Sequence, residues 1–219
     1  MRLTEKVYLV GSGNIGLSHQ TDPNIYLFEG GGVLALIDAG SGIRPELILQ
    51  NIQKNGFRLE EIKFIINTHA HWDHARGSAY LKELTRAKLL IHELGVEIVQ
   101  NKLWPDGYLA KRGIGSRPTK VDKIVKDRDT LEVGDIRLTI YHTPGHSNDS
   151  ICILMQEGDK KLLFSGDTIL AEGLTGTVTA ETNFANYRDS VLRMAELDCD
   201  MLLPCLLYTS PSPRDRTRS

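Results

Sequence analysis

The stretch Thr68-His69-Ala70-His71-Trp72-Asp73-His74 constrains the chain more than any other. It follows an apolar run over 62–67 that reads as a buried strand, and it precedes the helical spacing of Ala75, Ala79, Leu81 and Leu84. Three imidazoles and a carboxylate therefore leave a strand end inside one tight loop. Nitrogen and oxygen donors at that density suit a borderline metal such as zinc. A solvated polar loop with chance histidines is the competing reading.

The rest of the chain alternates short strands with helices. Apolar runs at 6–10, 24–29 and 33–38, with Glu29-Gly30-Gly31-Gly32 between the last two, predict a strand followed by a β-hairpin. Pro45 opens and Asn55-Gly56 closes a helical segment carrying Leu47, Ile48 and Ile52. Strands are expected at 88–91, 122–126, 131–133, 136–142, 150–156, 161–165 and 201–203, with helices at 93–100 and 184–198. Between 101 and 120 the period lapses, and Trp104-Pro105-Asp106-Gly107 and Gly113-Ile114-Gly115 mark an irregular insertion. The pattern predicts an α/β chain with one domain over 1–204, built from two sheets packed face to face with helices outside.

Composition removes several function classes. A chain of 219 residues with 41% hydrophobic and 25% charged residues can bury one core. No apolar run approaches the roughly 18 residues of a membrane span, so no membrane partner is expected. Met1-Arg2-Leu3-Thr4-Glu5-Lys6 lacks the apolar centre of a secretory signal, which makes the cytoplasm the expected compartment. Cys152 and Cys199 have no metal or redox spacing and read as buried thiols. The net charge is −2; setting aside the three arginines and one aspartate after Cys205 leaves 23 basic and 27 acidic residues. A mildly acidic body without a basic stripe argues against nucleic acid as a partner and leaves a small-molecule substrate. Oligomeric state is not encoded in any of these features.

One glycine signal is rejected. Val10-Gly11-Ser12-Gly13-Asn14-Ile15-Gly16 follows a strand and matches G-x-G-x-x-G, with Asp38 spaced to meet a ribose. A dinucleotide site needs a helix to start in that loop, and Asp22-Pro23 with a strand from Asn24 leaves no room for one. A plain turn between strands is expected instead.

Two later strand ends carry matching chemistry: Tyr141-His142-Thr143-Pro144-Gly145-His146-Ser147 and Leu163-Phe164-Ser165-Gly166-Asp167-Thr168. H-x-H-x-D-H, a later lone His and a later lone Asp, in this order, resemble the metallo-β-lactamase superfamily over nearly the whole body. The resemblance implies an αββα four-layer sandwich, here missing its C-terminal end. It also implies two divalent metal ions, zinc first, with iron or manganese as alternatives. By that resemblance His69, His71 and His146 hold one metal, Asp73 and His74 hold a second, and Asp167 bridges both, with Asp73 in the catalytic role. The expected reaction is hydrolysis of an ester, thioester, lactone or amide of a small molecule by a metal-bound hydroxide, since coordination lowers the pKa of water from ~16 toward ~7. The alternatives are a phosphodiesterase or nuclease of the same fold, a mononuclear-iron persulfide dioxygenase-like oxidoreductase, and an inactive metal-binding fragment. His92, Trp104 and Tyr108 are the expected substrate contacts, with Lys111, Arg112 and Arg117 beside the last two. His19 and His142 read as packing or surface histidines.

The family pattern would continue Leu-Leu-Pro-Gly-His where this chain reads Leu202-Leu203-Pro204-Cys205-Leu206. The second metal is therefore expected to lack its last histidine and to bind weakly. Cys205-Leu206-Leu207-Tyr208-Thr209-Ser210-Pro211-Ser212-Pro213-Arg214-Asp215 looks like the translation of a sequencing-library adapter. Residues 205–219 are expected to form a non-native or disordered tail that adds nothing to folding.

Overall fold

The structure is a computed structural model that describes residues 1–101, 115, 117–171, 176 and 178–205. Its first three strands, β1 (Val7–Gly11), β2 (Ile25–Gly30) and β3 (Val33–Ile37), are buried along almost every residue, as strands covered on both faces must be. β2 and β3 pair antiparallel through Gly30 and Val33. Gly31 and Gly32, both at positive φ, make the two-residue turn that matches the strand twist. β4 (Ile62–Ile66), β5 (Lys88–His92) and β6 (Lys123–Val125) then add in parallel, completing a six-stranded sheet in chain order.

Parallel neighbours need crossovers, and helices supply them. α1 (Pro45–Lys54) links β3 to β4, with proline in its first turn and Ile48, Leu49 and Ile52 buried. α2 (Trp72–Ala75) and α3 (Ser78–Thr85) link β4 to β5. α4 (Val96–Asn101) follows β5 after a 3₁₀ turn at Glu93–Gly95. The helix expected from Ala75 is thus two short helices, the first starting three residues earlier at Trp72, with a break at Arg76-Gly77.

The second sheet has the order β11-β10-β9-β8-β7. β7 (Thr130–Val133), β8 (Ile136–His142), β9 (Ile151–Glu157) and β10 (Lys160–Gly166) form an antiparallel meander. α5 (Phe184–Ala195) crosses back so that β11 (Met201–Pro204) lies parallel to β10. Between the sheets Tyr26, Phe28, Ile37 and Ile66 meet Ile140, Ile153, Met155 and Phe164. The ring of Phe164 sits 5.3 Å from Tyr26 and 6.5 Å from Phe28. The outer face of the first sheet is covered by Ile48, Ile52, Leu81 and Val99 from its helices, and that of the second by Met194 of α5. Helix, sheet, sheet, helix is the layering that the resemblance implied.

Residues 102–114, which hold most of the irregular insertion, and residues 206–219 lie outside the described residues. The packed chain reaches one residue further than expected. Cys205 was assigned to the tail, yet it is buried; its N–H donates to Gly166 O (3.3 Å) and its carbonyl accepts from Asn24 N–H (2.6 Å). Pro204 O accepts from Tyr26 Oη (2.7 Å) and Asn24 Nδ2 (2.9 Å), so the first sheet grips the end of β11 and carries Cys205 inward. No helix among the described residues is long and apolar enough to cross a membrane.

Candidate metal centre

The chemistry-bearing residues all sit where a strand has just ended. His69, His71, Asp73 and His74 follow β4, His146 follows β8, and Asp167 is the residue after β10. Both sheets therefore deliver donors to one edge of the sandwich. The loop after β4 is tied locally: Asn67 Nδ2 donates to His74 O (3.1 Å) and Ser78 Oγ donates to Asn67 Oδ1 (2.8 Å). Because α2 starts at Trp72, with His71 as its cap, the helical turn swings His74 back beneath His69, and their ring centroids come to 4.1 Å.

The structure brings His69, His71 and His146 into one group whose ligand atoms lie within 4.8 Å of one another, and His69, His74 and Asp167 into another. His146 Nε2 is 3.0 Å from His71 Nδ1 and 3.4 Å from Asp167 Oδ2, while Asp167 Oδ1 is 3.5 Å from His74 Nε2. Two donors each ~2.1 Å from a tetrahedral ion stand ~3.4 Å apart. The 3.4 and 3.5 Å separations match ligands gathered about an ion, the 3.0 Å contact of His146 with His71 is also of hydrogen-bond length, and the carboxylate of Asp167 faces both groups. Two buried atoms, His69 Nε2 and Asp167 Oδ1, have no hydrogen-bond partner among the described residues. Buried polar atoms are ordinarily satisfied, so a divalent cation fits the residues present.

The partners assign the protons on two of these rings. Asp38 accepts from Thr68 N–H (2.8 Å), from Thr68 Oγ1 (2.9 Å) and from His74 Nδ1 (2.8 Å). With its proton given to Asp38, Thr68 Oγ1 accepts from His69 Nδ1 (3.1 Å). Both histidines thus place an N–H on the outer nitrogen and turn Nε2 inward, where an ion would take the place of any proton, as metal-ligating histidines require. Burial and the neighbouring imidazoles of His74, His71 and His146 push the pKa of His69 well down. Burial opposes charge on His74 too, but Asp38, Asp167 and Asp73 outweigh it and hold that ring well above the ordinary histidine value. Burial raises the pKa of Asp167.

Several contributors had no place in the sequence reading. Asp38 is the hub of the buried network, at φ 63°; in sequence its spacing suggests only the rejected ribose ligand. The loop after β1 is the plain turn expected there. Asp149 bridges the two histidine loops, accepting from Ala70 N–H (2.7 Å) and Ser147 Oγ (2.8 Å). Tyr187 of α5 donates to Asp167 O (2.6 Å), and Ser190 Oγ donates to Pro144 O (2.7 Å).

Other expected residues fall elsewhere. Asp73 stands at the rim, its side chain 33% exposed and Oδ2 3.8 Å from His74 Nε2, outside both ligand groups. His92 is buried and stacks on His142 at 4.0 Å, so its ring packs between β5 and β8. Trp104, Tyr108, Lys111 and Arg112 lie outside the described residues. Arg117 pairs with Glu83 (2.8 Å), and His19 closes a local turn on Thr21 (2.8 Å). Cys205 points at the second group: its Sγ donates to Asp38 Oδ2 (3.3 Å), and Asp38, His74 and Cys205 form a third cluster of possible ligands.

A sequence profile of the metallo-beta-lactamase superfamily matches residues 20–205, and the chain belongs to that superfamily. Among curated relatives it is 28% identical to the lactamase-like protein aptB of Emericella nidulans, over 92% of this chain and 56% of that protein. It is 27% identical to an atrochrysone carboxyl ACP thioesterase of Aspergillus fumigatus, again over 92% of this chain and 56% of the other. The chain thus spans about half the length of these relatives. Among solved structures it superposes on BJP-1, a subclass B3 metallo-beta-lactamase of Bradyrhizobium japonicum, with a TM-score of 0.76, 26% identity, and coverage of 97% of this chain and 84% of that one.

Proposed function

We propose that the chain is a metal-dependent hydrolase acting on an ester-like acyl bond of a small molecule, with a thioester as the first substrate class. The observation that carries this reading is the convergence of His69, His71 and His146 beside His69 Nε2 and Asp167 Oδ1, buried atoms without a hydrogen-bond partner among the described residues. The likeness to the atrochrysone carboxyl ACP thioesterase supports the choice of substrate. β-Lactam amide cleavage is the second reading, supported by the likeness to BJP-1.

His69, His71 and His146 would hold one ion, with His74, Asp167 and the rim carboxylate of Asp73 facing a second position. When bound, such an ion supplies Lewis acidity and a water activated at neutral pH. The donor set of imidazole and carboxylate suits zinc and also accommodates iron or manganese. Asp38, through Thr68 for His69 and directly for His74, holds the outer N–H of both rings and aims both Nε2 atoms inward. Asp73, the solvent-accessible carboxylate of the set, would accept the proton released as water attacks.

The test is elemental analysis of the purified chain followed by a panel of chromogenic thioester, lactone, β-lactam and bis(p-nitrophenyl) phosphate substrates. Metal-dependent thioester turnover that His69→Ala abolishes is expected. A metal-loaded chain inert toward every acyl substrate would overturn the reading, and activity on the phosphodiester alone would replace it.

A further inference from the structure

His69 and His74 are oriented by Asp38 through buried contacts, but His71 has a different partner. It sits at the rim as the residue before α2, with its side chain 24% exposed, and its Nε2 lies 2.5 Å from Glu181 Oε1. We propose that Glu181 is a positioning residue that fixes the tautomer of His71 and so aims its Nδ1 lone pair at the ion; the inference rests on the metal-centre reading above.

The segment that carries Glu181 is built to present it. Thr179 N–H donates to Thr182 Oγ1 (2.9 Å) and Thr182 N–H returns to Thr179 O (3.2 Å), closing a turn with Glu181 on it. The next residue, Asn183, donates its N–H to Gly145 O (2.9 Å), directly before His146, and caps α5 by accepting from Asn186 N–H (3.1 Å). Helix start, the backbone that carries the acidic residue, and the histidine loop are therefore tied together, which keeps the Glu181 side chain within reach of His71.

The proton count gives the contact its meaning. A neutral imidazole carries one N–H, and a carboxylate can only accept. Glu181 therefore selects the tautomer with hydrogen on Nε2 and leaves Nδ1, 3.0 Å from His146 Nε2, as a bare lone pair. The opposite tautomer would direct a proton into the space that the ion needs. A carboxylate behind a ligating histidine also makes the ring a stronger donor, and losing such a partner costs about 10- to 100-fold in metal affinity. Asp38 does this for the interior rings from a buried position; Glu181 does it for the outermost ring from solvent, 110 residues away in the chain.

The test compares the native chain with Glu181→Ala and Glu181→Gln. Imidazole nitrogen shifts of His71, read by NMR on the metal-free protein, report the tautomer; zinc affinity is read by competition with a chromophoric chelator. Glu181→Ala should show mixed tautomers at His71 and zinc binding weaker by about 10- to 100-fold. Glu181→Gln retains an accepting oxygen, so it should keep the tautomer while losing part of the affinity. An unchanged tautomer in Glu181→Ala, or zinc affinity within about twofold of native, overturns the proposal. A chain that holds no zinc at all would instead sink the metal-centre reading, while the metal-free spectra would still decide what Glu181 does.

Discussion

At the scale of single residues, the centre is a problem of which nitrogen carries a proton. The chain answers it with acceptors placed behind the rings, so the informative substitutions lie behind the ligands as much as among them. A separate histidine offers a pH test. Burial, reinforced by His142, lowers the pKa of His92 to about 4, with Glu93, Lys126 and Asp127 as its other charged neighbours. Its unfolded value is near ~6.5, so between those values the unfolded chain takes up a proton that the folded chain refuses. Stability from this residue is therefore full above about pH 6.5 and lost as the pH falls toward about 4. Urea midpoints of the native chain and of His92→Gln, compared at pH 7 and pH 5, should show the steeper acid loss in the native chain; parallel losses would refute the assignment. The clustered histidines were legible in sequence because three imidazoles in six residues have little other use than metal binding. Glu181 was not, because an acidic residue in the polar run Thr179-Ala180-Glu181-Thr182 has no local signature, and its partner is set by the fold. Asp38 was visible but matched to the wrong chemistry, since its partners come from the far end of another strand.

At the scale of elements, α5 behaves as a brace. Its first turn holds the His146 loop through Asn183, and its body reaches Pro144 O through Ser190 and Asp167 O through Tyr187. Gly145 permits this closeness: at φ 148°, a Cβ there would stand 2.3 Å from Tyr187 Cα. Tyr187 Oη lies between Asp167 O (2.6 Å) and Gly176 N–H (2.5 Å), and both partners are buried beside it. Tyr187→Phe leaves those groups unpaired and should destabilise the protein by about 1–3 kcal/mol, measured by urea denaturation of the metal-free form. A loss below about 0.5 kcal/mol, the range of ordinary surface changes, would show that α5 is not fastened there. Most strands were legible from apolar run length and bounding turns, and α1 from its proline start. The break between α2 and α3 was not, because the apolar spacing continues across Arg76-Gly77; what interrupts it is tertiary, the Gly77 N–H leaving the helical ladder for Gly40 O (2.9 Å).

At the scale of the whole molecule, metal and fold should be linked. A ligand that binds only the folded state stabilises it by about 4 kcal/mol when its free concentration is 1,000 times its Kd. Zinc should therefore raise the thermal midpoint and a chelator should lower it; an unmoved midpoint would mean that no ion is held by the fold. The first group offers three histidines, whereas the second shares His69 with it and adds only His74 and Asp167, with Asp73 outside at 3.8 Å from His74, so one ion should survive dialysis and a second should bind only at high added metal. Two tight ions would mean that this donor set suffices or that Cys205 contributes its thiol. The layered architecture was legible from the order of strands and helices; the packed position of Cys205 was not, because only the pairing of β11 beside β10 and against Asn24 carries it inward. The donors hang from strand ends on opposite sheets, and His71 and His146 are 75 residues apart in sequence. An ion between them is a cross-link closing a long loop, and a covalent tie of that span removes about 4.5 kcal/mol of unfolded-chain entropy at 25 °C. The two sheets would then no longer be free to part independently. Amide exchange in β4 and β8 should slow together on loading, as if a stitch had been drawn through both.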